Sequence, residues 1–183
     1  FFSQTSAPLL ASARAGNAIG GGDWAIDRLI PDVIRAVASG LPIEIRAPRS
    51  TRPWQHVLEC LSGYLLLGQK LMAGENLFAD AWNFGPDHES NQCVEAILEM
   101  MQVQWPLVQW HYSQAAHPHE TNRLYLDSTK ARNLLNWQPV WDLEQAVSQT
   151  IDWYRSFYDT GAITTTAQIA LYVQEACANK CSW

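Results

Sequence analysis

The sequence predicts an α/β protein, and three observations predict it. The apolar run Leu9-Leu10-Ala11 feeds a stretch that ends at Asn17 and the glycines Gly20, Gly21 and Gly22, as a buried strand running into a glycine-rich loop would. A second short apolar stretch, Ala81-Trp82-Asn83-Phe84, is stopped by Gly85-Pro86. Between and after these two lie segments with the apolar spacing of helices. In a sheet of this class a ligand sits beyond the strand ends, so the small and polar residues of 14–24 mark where one would bind.

Composition sets the outer bounds. The chain has 183 residues, 48% of them hydrophobic and 16% charged, which is enough apolar material for a packed core. Its net charge of −6 argues against a nucleic-acid surface, which needs a concentrated positive field. A small anion held by one or two arginines remains compatible with it. Nine tryptophans are expected mostly in the core or in pocket walls. Cys60, Cys93, Cys177 and Cys181 form no CxxC pair and read as reduced thiols of a cytoplasmic protein. Cys177 and Cys181, four apart, are expected on one helix face. No apolar run is long enough for a membrane span. Phe1-Phe2-Ser3 reads as the exit of a helix, and the first strand has no partner before it, so the chain is expected to be the C-terminal part of a longer protein.

The other elements follow in order. Residues 28–37 have helical spacing, with Pro31 in the first turn and Gly40 at the end. Residues 41–46 alternate as an edge strand, given Pro42. Residues 48–53 read as a loop carrying Arg49 and Arg52, and residues 54–57 as a short strand. Residues 58–73 form a long helix closed by Gly74, and residues 91–102 an amphipathic one. Strands are expected at 107–112 and 124–126. Asp127-Ser128 is expected to cap a helix through Leu135, where Lys130 is a solvated first-turn residue. Residues 142–158 form a helix burying Leu143, Ala146, Val147, Thr150, Ile151 and Tyr154, and a last helix runs from about 166 to 176.

Four blocks carry a family resemblance. They are Arg14-Ala15-Gly16-Asn17-Ala18-Ile19-Gly20-Gly21-Gly22-Asp23-Trp24, Asp27-Arg28-Leu29-Ile30-Pro31-Asp32, Arg52-Pro53-Trp54-Gln55-His56-Val57, and Leu126-Asp127-Ser128-Thr129-Lys130-Ala131 with Leu135-Asn136-Trp137-Gln138-Pro139. The chain resembles the C-terminal half of the extended short-chain dehydrogenase/reductases that act on nucleotide sugars. The GGGDW and RPWQHV variants point to the branch that dehydrates CDP-glucose. The resemblance implies late parallel strands of a Rossmann-type cofactor domain at 1–25 and 75–90. It implies an interleaved, smaller mixed α/β region for the nucleotide sugar at 26–74 and 91–183. It further implies tightly held NAD, a homodimer in the intact protein, and a place in deoxysugar biosynthesis for lipopolysaccharide O-antigen. In the implied 4,6-dehydratase chemistry, hydride leaves C4 of the sugar, water is eliminated across C5 and C6, and hydride returns to C6. The GxxGxxG loop and the YxxxK pair of such enzymes do not occur in this sequence, so no catalytic residue is expected within it. An epimerase of the same family and a non-catalytic nucleotide-binding module are the alternatives.

Each candidate site residue has two readings. The Asn17 amide can donate to a phosphate oxygen, and relatives hold the diphosphate with the matching residue; it can equally close the loop locally. The Arg52 guanidinium suits a diphosphate, as in similar enzymes, although isolated arginines are usually surface residues. Pro53 stands where many relatives carry an acid. Leu29 and Ile30 are ordinary core or one wall beside a nucleoside, with Pro42, Ile43 and Glu44 as the other. The Glu44 carboxylate suits the exocyclic amine of cytosine, or is a solvated edge charge. By the resemblance, the small Ala15 and Gly16 let the nicotinamide end of NAD pass close to the strand. Arg123 or His117 stands in for an arginine of thymidine-specific relatives that helps to bind phosphate. His111, His117, His119 and Glu120 lack metal-ligand spacing, and no metal is expected.

Overall fold

A computed structural model describes residues 8–113 and 124–181. The described elements are β1 (Ser12–Ala15), β2 (Asn17–Ile19), α1 (Leu29–Ala38), β3 (Ile43–Ile45), β4 (Thr51–His56), α2 (Val57–Met72), β5 (Ala81–Phe84), β6 (Asn91–Cys93), α3 (Val94–Gln104), β7 (Trp110–Tyr112), α4 (Thr129–Leu135), α5 (Leu143–Thr160) and α6 (Thr165–Ala178), with single 3₁₀ turns at Asn76–Phe78 and His88–Ser90. The strands form three small ladders. β1 pairs with β5 in parallel, β2–β4–β6 form a mixed sheet, and β3 pairs with β7 in parallel.

Two cores hold these ladders. The larger joins Ile30, Val33 and Ile34 of α1 to Ile97, Leu98 and Met101 of α3 and to the buried face of α5. That face is the expected one, with Trp153 added to it. The smaller core gathers Cys60, Leu66 and Leu67 of α2, Trp82 and Phe84 of β5, and Ala131, Leu135 and Trp137 around α4. Trp54, Trp82, Trp137, Trp141 and Trp153 are buried, as a high tryptophan content requires.

Several expectations are corrected. The first strand is exposed: Ser12, Ala13 and Arg14 all face solvent, and Leu10 lies before the strand at 63% exposure. It pairs on one side with β5 alone among the described residues, so apolar composition did not translate into burial. Arg52 lies inside β4, which starts at Thr51 and continues directly into α2 at Val57. The loop at 48–53 is therefore shorter than expected. Pro53 is tolerated because it stands where the two ladders change over: it is opposite Asn91 of β6, whereas pairing to β2 begins at Trp54. Residues 91–93 form strand β6 before helix α3 starts. Residues 124–126 form no strand, although Leu124 N–H reaches Thr51 O at 3.3 Å.

Side-chain roles change as well. Asp127 caps α4, its Oδ1 accepting from Thr129 N–H at 2.9 Å, whereas the Ser128 hydroxyl donates to Gly85 O at 3.0 Å and locks α4 to the end of β5. Lys130 is not merely solvated: it pairs with Asp80, donates to Ala81 O and lies 4.3 Å over the Trp82 ring. Cys181 falls beyond the end of α6, so it does not share a helix face with Cys177. All four cysteines are free.

Candidate ligand-binding site

The glycine-rich loop is bound to the larger core. The Tyr154 hydroxyl accepts from Asp23 N–H at 3.0 Å and donates to Asp23 O at 2.7 Å. Burial pushes that hydroxyl up to about 12. Asp23 Oδ1 accepts from Ala25 N–H at 2.9 Å, and Arg35 donates to the carbonyls of Trp24 and Ala25 at 3.1 Å each. Gly22 alone of the three glycines needs a left-handed backbone, at φ 79°. Gly21 is small for another reason: a Cβ there would lie 1.9 Å from the Trp153 ring. The loop thus fixes the start of α1.

Beside that start lies a cleft of about 220 Å³. Leu29, Ile43, Ile45 and Val94 give it apolar walls, and Asp27, Asp32, Glu44, Arg46 and Ala47 complete the lining. Asp32 is ion-paired to Arg35. Two of the expected wall residues, Leu29 and Glu44, meet here together with Ile43. Ile30 does not: it is 5% exposed and packs in the larger core, because the helix turns it about 100° from Leu29. Pro42 is exposed and outside the lining. Sequence reasoning missed Asp27, Asp32, Ile45, Arg46 and Ala47, and Val94 from across the cleft. The link is a pair of backbone bonds, Val94 N–H to Ser50 O at 3.1 Å and Glu95 N–H to Pro48 O at 3.0 Å, which have no signature in side-chain pattern.

A second cluster surrounds Gly16. Here the chain leaves the β1–β5 ladder and enters the β2–β4 ladder. Gly16 N–H donates to Phe84 O at 3.3 Å, and Gln55 Nε2 donates to the same carbonyl at 2.9 Å. A Cβ at Gly16 would lie 2.3 Å from Pro53 O, so this glycine is required by the close approach of two backbones. Gln55 Oε1 is buried with no partner among the described residues. Ala15 ends β1 opposite Phe84, and Asn17 opens β2 opposite Trp54. Residues opposite one another share a sheet face, as do alternate residues of one strand, so Asn17, Trp54 and Arg52 lie on one face. Arg52 is half-buried and donates to Thr51 O at 2.9 Å. Arg123, His117, His119 and Glu120 lie outside the described residues. Among the described residues no cluster of side chains could hold a metal ion, and no helix is long and apolar enough to cross a membrane.

The sequence and the fold as a whole are similar to those of known proteins. Over 149 residues, 81% of this chain, it is 45% identical to the CDP-glucose 4,6-dehydratase of Salmonella typhimurium. The chain belongs to the extended short-chain dehydrogenase/reductase family of nucleotide-sugar enzymes. Within that family it is also 27% identical over 137 residues to the dTDP-glucose 4,6-dehydratase of Xanthomonas campestris. The matched stretches span 42% and 38% of these relatives, so the chain corresponds to less than half of either. The Rossmann-type fold of the family is shared with the UDP-glucuronic acid 4-epimerase of Bacillus cereus in complex with UDP-glucuronic acid and NAD, at a TM-score of 0.66, 18% identity, and coverage of 80% of this chain and 45% of that one. No family model matches the chain.

Proposed function

We propose that this chain is the nucleotide-sugar-binding part of an NAD-dependent 4,6-dehydratase acting on CDP-glucose. The observation that carries the proposal is the 45% identity to the Salmonella CDP-glucose 4,6-dehydratase, set against 27% to the dTDP-glucose enzyme. In this reading residues 1–25 and 75–90 contribute strands to a cofactor-binding sheet. Residues 26–74 and 91–183 form the sugar-nucleotide region, with α2 and α4 packing the two together. The intact protein is a homodimer.

The Gly16 junction fits the nicotinamide end of NAD. Parallel strands end there at small residues, and a buried side-chain oxygen, Gln55 Oε1, waits for a donor. Ala15 and Gly16 would line that end of the cofactor. When bound, NAD would supply the acceptor and return of hydride between C4 and C6 of the sugar. This chain's own residues bind and orient. Asn17 and Arg52, on one sheet face, would hold the diphosphate by an amide donor and a two-pronged guanidinium. Arg123 would add a further phosphate contact. Leu29 and Ile43 would flank the nucleoside. Holding the sugar in reacting geometry is a large share of the rate in such reactions.

The test is calorimetric titration of CDP-glucose, UDP-glucose and dTDP-glucose into the intact natural protein, with product formation followed in parallel. Tightest binding and dehydration of CDP-glucose is the expected result. Preference for UDP- or dTDP-glucose would overturn the assignment of substrate, and epimerisation without loss of water would overturn the reaction.

A further inference from the structure

Gln55 stands at the Gly16 junction with only half of its amide paired. It is 2% exposed, and its Nε2 donates to Phe84 O at 2.9 Å. Gly16 N–H reaches the same carbonyl at 3.3 Å, so two donors converge on the last residue of β5. This fixes the amide: turned over, Oε1 would face Phe84 O, acceptor against acceptor. Oε1 is therefore held in place as an acceptor, and it has no partner among the described residues. The chain pressed against Gly16 does not supply one. A Cβ there would meet Pro53 O at 2.3 Å and Pro86 Cδ at 3.3 Å, and proline has no backbone N–H to donate. A buried acceptor left unpaired is costly, so this oxygen suits a donor that arrives with a ligand.

Position narrows the choice of donor. Gln55 lies opposite Ala18 in the β2–β4 pairing, so it is on the sheet face away from Asn17, Trp54 and Arg52. A diphosphate held by Asn17 and Arg52 therefore lies on the other side of the sheet. The anchor of Gln55, Phe84 O, is at the carboxyl end of the parallel β1–β5 ladder, and the crevice beyond such strand ends is where an open α/β sheet receives its ligand. We propose that Gln55 is a cofactor-binding residue whose Oε1 accepts an N–H of the nicotinamide carboxamide of NAD. A carboxamide is uncharged and offers two N–H donors, which suits a fixed, uncharged acceptor; a carboxylate in its place offers none. An acceptor fixed on one side of the ring also sets which ring face turns toward the sugar. The inference rests on the NAD reading above and deepens it by naming the atom that holds the ring.

The experiment is calorimetric titration of NAD and of its deamidated analogue, in which a carboxylate replaces the carboxamide. Both are titrated into the intact natural protein freed of cofactor, as wild type and as Gln55→Met, with CDP-glucose titrated beside them. Methionine keeps the length of the side chain and removes the acceptor. Wild type is expected to prefer NAD. In Gln55→Met the ratio of NAD to analogue affinity is expected to fall roughly tenfold or more, with CDP-glucose affinity within about twofold of wild type. Equal weakening of both dinucleotides, or an unaltered ratio, leaves Gln55 as a brace of the junction and overturns the contact. A loss confined to CDP-glucose gives the acceptor to the sugar nucleotide and overturns it as well. Where Gln55→Met does not fold, wild type decides: equal affinity for the two dinucleotides overturns the proposal and leaves the NAD reading standing. A wild type that binds CDP-glucose and neither dinucleotide overturns both.

Discussion

Glu59 and Tyr172 stand 113 residues apart in sequence, and the Tyr172 hydroxyl donates to the Glu59 carboxylate at 2.8 Å. Glu59 is 0% exposed and also accepts from Val140 N–H at 2.9 Å and Trp141 N–H at 2.8 Å. One carboxylate at the start of α2 therefore ties down the 139–141 turn and helix α6. Removing it leaves two backbone donors buried without partners. Glu59→Ala is expected to cost about 3 kcal/mol or more, and Tyr172→Phe about 1–2 kcal/mol, read from the urea unfolding midpoint. Equal effects of the two variants would show that the backbone bonds contribute nothing.

The same region sets a pH dependence. His56 is buried, and burial pushes it from 6.5 down to about 4. Its Nδ1 accepts from Leu58 N–H at 3.3 Å at the start of α2, which requires the neutral ring. Between pH 6.5 and about 4 the unfolded chain binds more protons, so stability falls as pH falls, by up to about 3 kcal/mol. Burial raises Glu59, so its contribution has the opposite sign: present below 4.5 and lost as pH rises above it. His56→Asn keeps an acceptor for the helix start and is expected to flatten the acid limb of a plot of unfolding midpoint against pH. Glu59→Gln is expected to steepen it.

Gly16 makes a prediction that needs no ligand. The nearest atom to its missing Cβ is the backbone oxygen of Pro53 at 2.3 Å, which cannot swing aside. Gly16→Ala is expected to lower stability by about 2 kcal/mol or more in the ligand-free protein. Gly68, in the interior of α2 with open space around it, is the contrast: Gly68→Ala is expected to stabilise by up to about 1 kcal/mol. Thermal midpoints of both variants without nucleotide check the pair.

Arg52 separates charge from geometry. In Arg52→Lys the charge remains and the fork that can hold two phosphate oxygens is lost. A drop of roughly tenfold or more in CDP-glucose affinity, with little change in thermal midpoint, is the expected outcome of a titration. Retained affinity would remove Arg52 from the diphosphate site.

The sequence showed much of this and concealed some of it for physical reasons. Helix α5 was legible, Trp153 apart, because its buried set repeats at the helical period from Leu143 to Tyr154. Strand β6 was hidden because its three residues, Asn91, Gln92 and Cys93, have no apolar alternation and exist as a strand only through pairing with β4. Of Leu29 and Ile30 on one side and Pro42, Ile43 and Glu44 on the other, Leu29, Ile43 and Glu44 line one cleft. Ile30 takes the core alternative, because the next residue of a helix points into a different layer. Val94 was invisible, since nothing local says which loop it will meet.

By itself the sequence determined the α/β class, the helices and the family. Those depend on local periodicity, on chain stops and on short motifs of fixed spacing, all of which are written within a few residues. Tertiary structure decided the meaning of the stretch that ends at Gly16 and Asn17. Its glycines are there because Pro53 and Trp153 press against them, and its first strand is exposed because only β5 pairs with it among the described residues. Burial and close approach are properties of neighbours distant in sequence, and no local pattern encodes which neighbours arrive.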